Sequence, residues 1–163
     1  MSPEWKKSVG AGSMVRWPVG EGAEGNEAIA NLVQKTPNSI GYVGWVYALR
    51  HQLSFGAVRN AAGEFVQADL ESVTAAAKGA PRAMTSDFRV SITDAPGKDA
   101  YPIATFTWWL LPRELGAGDK KPALINLLKW VLTSGQKQCS ALGYAPLPRA
   151  IASRELEILD TLN

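Results

Sequence analysis

Apolar residues recur at helical spacing in several stretches of the chain. Ile29, Leu32 and Val33 follow Asn26 and stop at Thr36-Pro37, which predicts a helix with Asn26 as N-cap and Glu27 in its first turn. Trp45 to Leu53 reads as a short helix with Ala48 and Leu49 facing inward. Leu70 to Lys78 reads as another, with Asp69 as N-cap, Gly79 at C′ and Pro81 blocking continuation. A longer helix is predicted from Ala123 to Leu142, with Leu124, Leu127, Leu128, Val131 and Leu132 on one face. Pro122 marks its start, Gly135 weakens its middle and Gly143 is its expected stop. After Pro148 a last helix carries Ile151, Leu156, Leu159 and Leu162.

Between these lie segments with strand character. Ile40 to Val43 is a short apolar run bounded by turn residues and reads as a buried strand. Phe55 to Arg59 and Phe65-Val66 read as a hairpin across Asn60-Ala61-Ala62-Gly63. Phe88 to Ile92 alternates as a half-exposed strand. Tyr101 to Leu111 is the strongest extended segment, dominated by β-branched and aromatic residues. The Gly-rich first 25 residues, with Trp5 and Trp17, read as a loop or short extended piece, and the stretch between Pro81 and Phe88 as loop-rich. Alternating helices and strands make the expected fold class α/β.

Composition narrows the functional classes. With 46% hydrophobic residues in 163, the chain can fill the core of one domain. Charged residues are 20%, the net charge is +2 and no block of like charge occurs, so no nucleic-acid partner is expected. The longest apolar run, Phe106 to Leu111, is interrupted by Thr107 and ended by Pro112, far short of the roughly 20 residues of a membrane span. The charged start, Met-Ser-Pro-Glu-Trp-Lys-Lys, has no apolar run behind it, so no secretory signal is read in this chain.

Catalytic signals are weak. His51 is the only histidine and, near a helix end, reads as a surface or structural residue. Cys139 has no disulfide partner and no neighbouring histidine, so it reads as a small, partly buried apolar residue. One His and one Cys assemble no metal cluster, and Glu155 and Glu157 face different sides of a helix. The loop Gly20 to Asn26 leads into a helix N-terminus, a geometry suited to anions, but Glu21 and Glu24 oppose one and the Lys-Ser/Thr ending of a nucleotide loop is missing. The six tryptophans admit a sugar-stacking reading, although core positions are favoured for Trp108, Trp109 and Trp130. No enzyme, metal or cofactor is expected.

An ordered set of segments carries a sharper likeness. They are Ser2 to Gly10 (SPEWKKSVG), Val15 to Gly20 (VRWPVG), Gly25-Asn26-Glu27, Thr36 to Val43 (TPNSIGYV), Tyr101-Pro102-Ile103, Gly135-Gln136-Lys137 and Leu142 to Pro148 (LGYAPLP). Together they resemble the PstS-type phosphate-binding proteins of bacterial ABC importers. The resemblance implies a type II periplasmic-binding-protein fold, incomplete here: part of the second α/β lobe in 1–100, a hinge-crossing strand in 101–111 and a C-terminal helical part of the first lobe in 112–163. It implies the phosphate-binding component of an import system, periplasmic or extracytoplasmic, with inorganic phosphate and a membrane permease as partners.

In that family the phosphate contacts come from a Thr-aromatic pair, a Ser, an Asp that accepts the ligand's proton, and an Arg-Ser-Asp-Gly-Ser-Gly-Thr type segment, all upstream of the part resembled. No Ser-Gly-Thr or Arg-Ser-Asp run occurs in this sequence. No ligand-binding residue is therefore assigned, and the chain is expected to be a C-terminal portion that does not itself grip phosphate. A second expectation is a standalone scaffold or interaction module that has lost ligand binding. Absent strands would leave sheet edges open, which predicts self-association by edge pairing or segment exchange.

Overall fold

Ser2 accepts the backbone N–H of Trp5 at 3.1 Å and Pro3 opens the first turn, so a helix, α1 (Pro3–Ser8), forms where the glycine content predicts a loop. The computed structural model describes residues 2–12, 14–80, 88–112 and 120–162. Helix α2 (Gly25–Lys35) begins two residues earlier than its sequence signal. Asn26 is not its N-cap; Glu24 takes that place without a side-chain bond, and the Asn26 Oδ1 accepts the Gly44 N–H at 2.7 Å. That bond holds the start of α3 (Trp45–Arg50) against α2, onto which it packs. Within α3 Ala48 is buried, whereas Leu49, expected inside, is 45% exposed; a helix this short presents few positions to one neighbour.

The predicted strand at Ile40 to Val43 pairs with nothing among the described residues. Gly41 lies so close to α2 that a Cβ there would meet the Val33 Cγ2 at 2.6 Å, while its neighbours Ile40 and Tyr42 point outward. The segment has one packed face and no lateral partner, so it forms no ladder.

The hairpin is as predicted, though short: β1 (Val58–Arg59) pairs antiparallel with β2 (Phe65–Val66), Val58 opposite Val66 and Arg59 opposite Phe65. Its turn is organised by the buried Asn60. The Oδ1 accepts the N–H groups of Ala62 and Glu64 at 3.1 and 3.0 Å. The Nδ2 lies within 3.1 Å of the carbonyls of Gly97, Lys98 and Ala100, tying the hairpin to a loop far along the chain.

Helix α4 (Leu70–Ala77) starts at Asp69 as predicted, with a reciprocal box: Asp69 Oδ1 accepts the Ser72 N–H at 2.6 Å and Ser72 Oγ accepts the Asp69 N–H at 3.1 Å. Lys78 is the C-cap, placing Gly79 at C′; Pro81 and the loop reading at 81–87 lie outside the described residues. Tyr101 donates its N–H to the Ser72 carbonyl at 3.1 Å, fixing the chain's return onto α4.

The long C-terminal helix is shorter than predicted. Helix α5 (Lys120–Leu132) starts ahead of Pro122 and ends at Thr133, whose Oγ1 donates to the Lys129 carbonyl at 2.7 Å. Beyond it the chain tightens into 3₁₀ turns at Ser134–Gln138 and Ser140–Leu142. Gly143 ends them at φ +78°, and a Cβ there would stand 2.9 Å from Val46 Cγ2 on α3. Helix α6 (Arg149–Thr161) packs on α5, with Lys129 Nζ 2.7 Å from the Asp160 carboxylate between them.

The main core is thin. Ala76 and Ala77 of α4 and Ala80 just beyond it meet Ile92, Ala95, Ala100 and Ala104 and the first turn of α6 at Ile151, with Phe88, Val90, Phe106 and Leu147 packed around them. The chain exposes 12186 Å². A folded monomer of its 17.5 kDa exposes only about 7,900 Å².

Replacing Asn60 by Ala strands buried N–H and carbonyl groups at both ends of its clasp, which costs about 1–3 kcal/mol. The Asp69→Ala change removes one helix cap, about 1 kcal/mol. Urea denaturation followed by circular dichroism should show both midpoints lowered, Asn60→Ala the more.

Candidate functional site

An apolar groove of about 260 Å³ opens between the run Phe106 to Leu111 and the C-terminal helix pair. Its floor is Leu128, Val131 and Leu132 of α5 with Ile151, Ile158 and Leu159 of α6. The faces that sequence periodicity assigns to a core therefore do turn inward, except Leu127, which is 46% exposed. Along the rim stand Thr107, Trp108, Trp109 and Leu111.

That rim is the segment predicted as the strongest strand, and here the structure departs from expectation. Phe88 to Asp94 and Tyr101 to Trp108 run alongside each other in antiparallel sense: Asp94 N–H donates to the Pro102 carbonyl at 2.8 Å, Thr93 Oγ1 to Ala104 at 3.5 Å and Trp108 Nε1 to Phe88 at 3.3 Å. Burial alternates at Phe88 to Ile92 and at Pro102 to Thr105, as in strands. Yet neither segment enters a sheet, and among the described residues positions 103–112 make no backbone-to-backbone hydrogen bond. The tryptophans expected in the core are instead half open: Trp108 is 44%, Trp109 55% and Trp130 52% exposed. An extended aromatic segment that no second layer covers among the described residues keeps its rings at the surface.

Glu155 is the titratable group on the groove wall, half-buried on α6, and burial raises its carboxyl above the ordinary value of 4.5. Glu157, on the other side of α6, is exposed. Sequence reading sets Glu155 aside with Glu157, because a lone carboxylate in an amphipathic helix carries no spacing signal. The tryptophan pair beside β-branched residues was the available clue to the groove.

The other candidates resolve into structural roles. His51 caps α3 and its Nε2 lies 2.8 Å from Glu27 Oε1, joining α2 to α3. Cys139 sits between the 3₁₀ turns, its sulfur 4.0 Å from the Gly135 carbonyl. The loop before α2 is exposed and carries Glu21 and Glu24. Among the described residues no group of three or more His, Cys, Asp or Glu converges on a metal position, and no helix is long and apolar enough to cross a membrane.

The segments that carry the family likeness prove to hold one another. Trp5 packs at a tilt against Trp17, ring centres 5.4 Å apart, and Trp17 against Tyr42 at 5.9 Å, which gathers three of them into one aromatic cluster. Gln136 donates from Nε2 to the Val131 carbonyl at 2.8 Å and accepts the Leu147 N–H at 2.7 Å, joining two more.

Comparison with known proteins agrees with that likeness. The chain is 43% identical to the phosphate-binding protein PstS of Xylella fastidiosa over 148 residues, 91% of this chain and 41% of that protein. This chain is a homologue of part of PstS. The PstS of Pasteurella multocida is 34% identical, covering 94% of this chain and 45% of the relative, and that of Methanocaldococcus jannaschii 33%, covering 99% and 46%. The chain thus spans less than half the length of these PstS relatives. No protein-family model matches it.

A raised Glu155 pKa means that the native state holds this proton more tightly than the unfolded chain does, so stability declines as pH rises from about 4.5 through the native pKa. Glu155→Gln removes this contribution. The variant should match the parent's melting temperature at acidic pH and exceed it at neutral pH, as thermal unfolding at a series of pH values will report.

Proposed function

We propose that this chain forms part of the phosphate-binding component of an ABC-type phosphate import system, a solute-binding protein of the periplasm that delivers phosphate to a membrane permease. The observation that carries this reading is the 43% identity to a phosphate-binding protein over 91% of the chain. The fold of the whole protein is then a type II periplasmic-binding fold. Residues 1–100 belong to its second lobe, 101–111 cross between lobes and 112–163 complete the first. The role is binding rather than catalysis, in keeping with the structural parts played by His51 and Cys139.

The phosphate contacts lie, in this reading, on polypeptide outside these residues. A desolvated phosphate requires several charge-assisted donors converging on one point. Here the Gly-rich loop that leads into α2 brings two carboxylates with it.

A chimaera tests the reading: this chain replaces the matched 148 residues of the Xylella fastidiosa protein. Calorimetric titration should show 1:1 phosphate binding by the chimaera and none by this chain alone, with circular dichroism showing both folded. A folded chimaera that ignores phosphate overturns the function. Phosphate binding by the isolated chain overturns the placement of the contacts.

A further inference from the structure

We draw no further inference here: the strongest candidate, the polar hollow between the hairpin β1–β2, α4 and the loop at Lys98 and Asp99, sets the carboxylates of Glu64, Asp69, Glu71 and Asp99 beside Lys78 and Lys98, and nothing among the described residues shows what covers it.

Discussion

A β-strand is a contract between neighbours: its backbone donors and acceptors alternate sideways and are satisfied only by another extended chain. This protein is organised around that requirement being met in one place and left open in another. The hairpin β1–β2 closes on itself, and Asn60 supplies the bonds its short ladder cannot. Around Phe106 to Leu111 no backbone-to-backbone bond is made among the described residues. The residues there are strand-forming by propensity, yet among the described residues they enter no sheet: Phe88 to Asp94 runs beside the segment only as far as Trp108, and the helix pair lies beneath it.

The thinness of the core follows from the same circumstance. Alanine dominates where α4 meets the returning chain, and alanines allow close approach without contributing much buried area each. The larger apolar side chains, Trp108, Trp109, Trp130 and Leu110, remain partly or largely in solvent. A chain of this composition has enough hydrophobic residues for a deep interior. Among the described residues their distribution leaves many of them at the surface instead.

What could be read from sequence divides along this line. Local signals held where the chain itself supplies both partners: Asp69 with Ser72, the turn at Asn60, Gly143 in its left-handed conformation, and the inward faces of α5 and α6. The Asn26 signal failed because a distant amide at Gly44 competed for the same oxygen, something no local pattern contains. The strands at 40–43, 88–92 and 101–111 failed because strand propensity reports fitness for a sheet rather than the existence of one. The family likeness of ordered segments was legible, and the contacts among those segments became visible only in three dimensions, in the Trp5–Trp17–Tyr42 cluster and the Gln136 bridge. The groove was not legible, since it is assembled from a rim and a floor separated in sequence.

The Asn60 clasp has one further consequence. It joins two distant stretches through a neutral amide and main-chain groups alone, with no ionisable partner on either side. Acidification and changing ionic strength, which loosen contacts built from opposite charges, leave such a fastening untouched. The clasp itself thereby contains no group that titrates.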